Sequence, residues 1–368
     1  MKFGLFYVLE CPDHDYKRAY REMLEQIEFS EEMGFESVWL AEHHGSDYGS
    51  MPTSSIAAAA VAARTTKLRI GIAASILPFG LNPVKLAEEW AMVDNISGGR
   101  LDLGVGRGYQ PREFEMLGLG GAMGDSRQIF KEYLEAMIGL WTNDTFSYHG
   151  KYVNFDNVDV RPKPVQQPHP PIFVAAISPE TFSMVAEQGY NMLVTPTLMI
   201  LPELIEFVVD AKRKLIAHGR DPLSLDFPMN WQIHVAESEQ KALDNTNEAF
   251  LWYFDEVMKH VPQGANVPKT YERYGELAAA AQEMGGLTLD GLRQGGIVLL
   301  GTPQTAIDEI EKLRDEMGLQ SLCCWMRMGG LEHEKVMSSI EQFGKHVIPA
   351  FKDRPNVVPK AIRESVTV

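Results

Sequence analysis

The sequence predicts an α/β protein folded as a closed parallel (β/α)8 TIM barrel with insertions, and three observations predict it. Apolar, β-rich runs alternate with helical patterns along nearly the whole chain. The 368 residues accommodate one such barrel with additions. Hydrophobic residues make up 45% and charged residues 23%, ordinary globular values that leave ample material for a core.

The elements follow in order. Lys2 to Val8 reads as a buried strand before a helical pattern from Tyr16 to Met33. Ser37 to Ala41 precedes an alanine-rich helix from Thr53 to Arg64, and Leu68 to Ser75 precedes a helix from Val84 to Ile96. Strand Arg100 to Val105 is followed by helix Ser126 to Trp141, strand Ile172 to Ala176 by helix Pro179 to Gln188, and strand Asn191 to Thr195 by helix Pro202 to His218. Strand Met229 to Ala236 leads into a long helix from Glu239 to His260, and strand Ser321 to Met326 into helix Glu332 to His346. Eight strands alternating with eight helices imply a closed parallel sheet. Two stretches interrupt the rhythm and read as insertions in a single domain, 1–368. Residues 143 to 171 suggest a hairpin plus a proline-rich connector, and the glycine-rich residues 262 to 296 suggest a lid or a surface decoration.

Charge and composition exclude several functions. A net charge of -16 with no local basic patch argues against nucleic-acid and membrane-surface partners. No run approaches the roughly 18 to 20 apolar residues of a membrane span. Met1 to Glu10 lacks a small-residue cleavage site, and three cysteines make no disulfide framework, so a cytoplasmic protein with free thiols is expected. No HExxH or comparable ligand spacing is present, so no metal is expected; the absence of GxSxG argues against a nucleophilic serine.

Chemistry in such barrels collects at the carboxyl ends of the strands. The second strand ends in Glu42-His43-His44; neighbouring side chains there face opposite ways, so one histidine at most points inward as acid, base or donor. Gly104 to Gly108 is not a dinucleotide fingerprint, because Tyr109 takes the place of the last glycine and no helix begins at once. Its glycines allow close backbone approach while Arg107 offers a fork for phosphate. Ser178-Pro179 opens a helix whose free amides at Glu180 and Thr181, with both hydroxyls, would suit an anion; the same residues also make an ordinary capped helix. Arg127 reads as a second cation or as a surface ion pair. Trp252, Tyr253, Phe254 and Trp325, with eighteen methionines, suit an apolar pocket or simply the core. Arg293 sits in the possible lid, and the small residues Ser54, Ser55 and Ala57 to Ala60 suggest a homodimer face or close packing within the chain.

These stretches resemble the bacterial luciferase-like family of flavin-dependent monooxygenases. The resemblance is carried by MKFGLF, GFESVWLAEHH, KLRIGIAASILP, NPVKLAEEWAMVDNISGGRLDLGVGRG, GDSR, PPIFVAAIS and the late GTP, in order along most of the chain. It implies a barrel that binds reduced FMN (FMNH2), uses O2 through a C4a-peroxyflavin, and oxygenates a small, hydrophobic substrate such as an aldehyde or ketone. A separate flavin reductase would supply the reduced flavin. By position, His43 matches the catalytic histidine, and Ala73-Ala74 matches a pair joined by a non-proline cis peptide beneath the isoalloxazine. Gly106, Arg107, Arg127, Ala176, Ser178 and Thr181 match cofactor contacts, with His44, Trp252, Tyr253 and Arg293 as candidates for the substrate pocket or lid. The resemblance also points to a homodimer packed through early helices. Three departures stand out: Gly106 replaces a reactive thiol, Ile177 an acidic residue, and Pro196 an aromatic near the flavin, so no light emission is expected. The alternatives are an F420-dependent oxidoreductase on the same barrel and a flavin-binding protein without turnover.

Overall fold

The computed structural model describes residues 1–198, 200–260 and 288–365, with Leu198 described by its backbone alone. Its main sheet comprises the parallel strands β1 (Lys2–Tyr7), β2 (Ser37–Leu40), β3 (Arg69–Ile72), β4 (Ser75–Ile76) and β5 (Leu101–Gly106). A separate antiparallel pair, β6 (Phe146–His149) and β7 (Asn154–Val158), forms the hairpin at 143–171. The main sheet resumes with β8 (Ile172–Ala175), β9 (Asn191–Leu193), β10 (Met229–Val235), β11 (Val298–Gly301) and β12 (Ser321–Trp325).

Pairing runs β10-β12-β1-β2-β3-β5-β8-β9, and the seam between β9 and β10 closes through the Val194–Met229 bridge. There the Val194 amide donates to Pro228 O at 3.1 Å and the Asn230 amide to Val194 O at 2.8 Å, so the eight strands form a ring. β12 and β1 therefore stand across the ring from β5 and β8.

Two differences from the sequence reading have physical causes. The run Leu68 to Ser75 is not one strand, because the Ala73-Ala74 peptide is cis and turns the chain between β3 and β4. Strand β11 and the helix Pro303–Met317 after it went unread, since eight strands already completed the rhythm; β11 pairs with the far half of β10, outside the ring order. Residues 262–287 of the expected lid lie outside the described residues, while its end is the short helix Leu289–Gln294.

Helices α1 (Tyr16–Glu32), α2 (Ser54–Arg64), α3 (Pro83–Ser97), α4 (Pro111–Met116) and α5 (Ser126–Thr142) connect the first strands, and α6 (Pro179–Gln188), α7 (Leu201–Ala217) and α8 (Glu239–Met258) follow β8, β9 and β10. Local sequence sets their ends. Asn82 caps α3 by accepting from the Val84 amide at 2.7 Å, Pro83 fits the first turn, and Gly98 ends the helix at a φ of 67°. The small residues of α2 are used within the chain: Ser54, Ser55, Ala57 and Ala58 are buried, and the Ser55 hydroxyl donates to Glu89 of α3.

Between the strands and their helices lies the main apolar core, with Ile70, Leu103, Val174 and Ile233 facing helix residues such as Val61, Trp90 and Leu140. A second cluster fills the carboxyl end of the barrel, with Phe6, Trp39, Phe173, Tyr253 and Trp325 among its members. All three cysteines are buried and free, and among the described residues no helix is long and apolar enough to cross a membrane.

Candidate active site

The carboxyl ends of the strands surround a cavity of about 200 Å³. His43, Ala73, Ala74, Gly106, Arg107, Ala176, Ser178, Thr181 and Tyr253 all line it, so most of the sequence candidates meet in one place. His44, Arg127, Trp252 and Arg293 do not line it. The reasons are geometric. His44 turns away from His43 and meets Glu42 at 3.3 Å. Trp252 and Tyr253 are consecutive on α8, about 100° apart around the axis, so only one points inward. Arg293 reaches Glu239 at 3.7 Å instead of the cavity. Arg127 is exposed at the start of α5, where it and Arg107 both bear on Glu180. Pro196 does not line the cavity either; its neighbours Thr195 and Thr197 do.

The histidine stands in a network that sequence reasoning missed. His43 Nδ1 lies 3.1 Å from Glu113 Oε1, 3.0 Å from the Tyr48 hydroxyl and 3.2 Å from Gln110 Nε2. The same Glu113 oxygen accepts from the His44 amide at 2.8 Å. Tyr48 also meets the Tyr109 hydroxyl at 3.2 Å and accepts from the Gln110 amide. Glu113 and Tyr48 are almost wholly buried. Burial raises the Tyr48 phenol well above its ordinary value and pushes Tyr109 up to about 12, so both remain protonated donors at neutral pH. A proton on Nδ1 finds an acceptor in Glu113, and the Tyr48 hydroxyl stands within reach of both ring nitrogens, 3.4 Å from Nε2. Gly49 makes this packing possible, because a Cβ there would lie 2.5 Å from His43 Cβ. The available sequence signals were Tyr109, Gln110 and Glu113 directly after the Arg107 turn.

Next to it, Glu42 lines the cavity and pairs with His44. Burial raises the Glu42 carboxyl. Burial lowers His44, but the hydrogen bond and charge of Glu42 outweigh it, and the imidazole ends above its ordinary value.

The start of α6 departs from the expected anion site. Ser178 does not cap the helix through its side chain; its hydroxyl lies 3.1 Å from Thr181 Oγ1. The Thr181 amide donates to Ser178 O at 2.9 Å, and the Glu180 carboxyl bears on its own amide. That amide, the Ser178 hydroxyl and the two arginines hold the Glu180 carboxyl below its ordinary range. A carboxylate thus already occupies the helix start, the place an external anion favours. Arg107 and the two hydroxyls remain on the cavity wall. Gly106 keeps that wall open: a Cβ there would come within 3.3 Å of Ile76 and 3.4 Å of Ala74.

The luciferase-like monooxygenase family matches residues 1–321. The chain belongs to this family. As a luciferase-like monooxygenase it is an oxidoreductase that incorporates oxygen. It is 30% identical over 360 residues to the oxygenase component of a flavin-dependent trigonelline monooxygenase from Acinetobacter baylyi, covering 96% of each chain. It is 26% identical to the alkanal monooxygenase alpha chain of a Kryptophanaron alfredi symbiont, over 97% of this chain and 100% of that one. Among solved structures, monooxygenase RslO1 from Streptomyces bottropensis superposes with a TM-score of 0.79 at 28% identity, covering 95% of this chain and 100% of the other. Among the described residues no cluster of His, Cys, Asp or Glu has the geometry of a metal site.

Proposed function

We propose that this luciferase-like monooxygenase is the oxygenase component of a two-component system that takes FMNH2 from a separate reductase and oxygenates a small, hydrophobic substrate such as an aldehyde or ketone. The observation that carries the reading is one cavity bounded by His43, the cis Ala73-Ala74 peptide, Arg107, Ser178 and Thr181. These residues fit reduced FMN on chemistry. Arg107 and the two hydroxyls suit a phosphate, the small side chains of Ala73, Ala74 and Ala176 with Gly106 make room for a flat ring, and the histidine network supplies a proton partner. Bound reduced flavin supplies the electrons that activate O2.

The chain's own residues do the rest. Arg107, Ser178 and Thr181 orient the cofactor by its phosphate end. Glu113 and Tyr48 fix the His43 ring on the cavity wall, where the imidazole accepts or returns a proton. The apolar walls, with Phe6, Trp39 and Trp325, exclude water from that end.

The reading extends to a single-domain cytoplasmic enzyme acting as a homodimer. Support for the dimer comes from apolar side chains exposed on α2 and α3: Ile56 at 71%, Met92 at 53% and Ile96 at 48%. A monomeric mass in analytical ultracentrifugation would remove that part.

His43→Ala is expected to lower substrate oxygenation by about 100-fold or more while FMN affinity changes little. Stopped-flow turnover with reduced FMN, alongside flavin-fluorescence titration, checks it. Equal losses in both measurements would reject the role of His43, and tighter binding of F420 than of FMN would reject the cofactor.

A further inference from the structure

We propose that Phe6, Tyr253, Trp325 and Asn230 form a substrate subsite for a flat unsaturated ring that carries a hydrogen-bond donor and no negative charge. All four line the cavity, on β1, α8, β12 and β10. The three aromatics pack on one another: Phe6 to Trp325 at 5.0 Å between ring centroids and 56° between planes, and Tyr253 to Trp325 at 4.7 Å and 78°. Each is nearly fully buried, so their orientations are fixed by packing. Tilted and edge-on rings complement a planar guest, which gains ring contacts as well as burial; a flexible alkyl chain gains only the burial.

Among the described residues of the cavity wall, the unpaired acceptor is Asn230, beside the unpaired donor Trp325 Nε1. Asn230 Oδ1 is buried and accepts no hydrogen bond from the described residues. A buried acceptor without a donor is costly, and a ligand N–H or O–H removes that cost. Charge adds the third restriction. The lysine, arginine and histidine side chains that line the cavity are His43 and Arg107, and Arg107 stands at the end of β5, across the ring from β12. A carboxylate held among the aromatics would therefore lie across the ring from the Arg107 guanidinium, within a chain of net charge -16.

The inference rests on the flavin reading in one respect: the Arg107 side belongs to the cofactor, which leaves the opposite arc to the substrate. Isothermal titration of the full chain, with and without saturating oxidised FMN, tests both separately. The probes are indole, 1-methylindole, indole-3-carboxylate and decanal. Indole is expected to bind in either state, 1-methylindole about fivefold more weakly because it lacks the donor, and indole-3-carboxylate more weakly still. In Asn230→Leu the preference for indole over 1-methylindole disappears, while retained 1-methylindole binding reports an intact fold. Trp325→Leu weakens both indoles and narrows their advantage over decanal. Tighter binding of decanal than of indole by the parent chain, or an Asn230→Leu chain that still separates the two indoles, overturns the proposal. Simple competition between FMN and indole also overturns it, assigning the arc to the cofactor while the flavin reading stands. If FMN fails to bind at all, the flavin reading falls, and indole binding with the expected preferences still supports the subsite.

Discussion

Across the mouth of the barrel, the arc at β5, β8 and α6 is built of glycine, arginine and hydroxyls, whereas the arc at β12, β1 and β10 is built of aromatic rings. The first grips by charge, which acts over several ångströms and weakens with salt. The second selects by shape and burial, which act only on contact. One cavity thus presents two kinds of wall, and substitution on each tests them separately.

The largest expected effect on binding tests that separation. Arg107→Ala should weaken FMN binding roughly 10- to 100-fold, the loss of charge-assisted hydrogen bonds to a phosphate, with indole binding unchanged within about twofold. Flavin-fluorescence titration and calorimetry read the two arcs in parallel. Equal losses on both would break the distinction.

A smaller effect lies behind the aromatic arc. Glu10 is fully buried, near enough for its charge to bear on Tyr253, and burial pushes its carboxyl up to about 8. The unfolded chain ionises Glu10 near its ordinary value of 4.5, while the folded chain keeps the proton until about 8. Between those limits the folded state binds more protons, so stability falls as pH rises, by at most ~1.4 kcal/mol per pH unit. Glu10→Gln removes this slope. In urea unfolding the variant should gain about 1 kcal/mol on the parent between pH 6 and pH 7; identical pH profiles would place the Glu10 proton elsewhere.

The smallest effect sharpens the account of the polar arc. Glu180 competes with any anion at the start of α6, so Glu180→Gln should tighten FMN binding roughly two- to fivefold, as expected for one charge at a helix terminus. A titration at low ionic strength would show it, and weaker binding would mean that Glu180 supports the site.

How much of this was legible depended on which forces wrote it. The barrel was readable because alternation of strand and helix leaves a periodic trace over hundreds of residues. Strand β11 left only the short apolar stretch Val298–Gly301 beside a glycine-rich segment, too little to register. On the polar arc, the glycines and Arg107 read as room and charge for a phosphate, while the Ser-Pro helix start read equally as an ordinary cap. The aromatic arc leaves a weaker mark, since Tyr253 and Trp325 read as pocket or core alike and Phe6 sits in a strand that reads as core. The same limit hid the partners of His43: Tyr48 reaches it from the loop after β2 and Glu113 from α4, and only the folded chain brings them together.

Trp39 carries a last consequence. Its indole lies across β3 where Gly71 has no side chain, since a Cβ there would come within 2.2 Å of the ring, and it meets Phe173 edge-on at 5.0 Å. The cavity consequently ends on a rigid aromatic floor wedged between neighbouring staves. A longer guest finds no extra depth below, so variation in guest size falls to the loops above, and changes of specificity in this scaffold belong at the mouth.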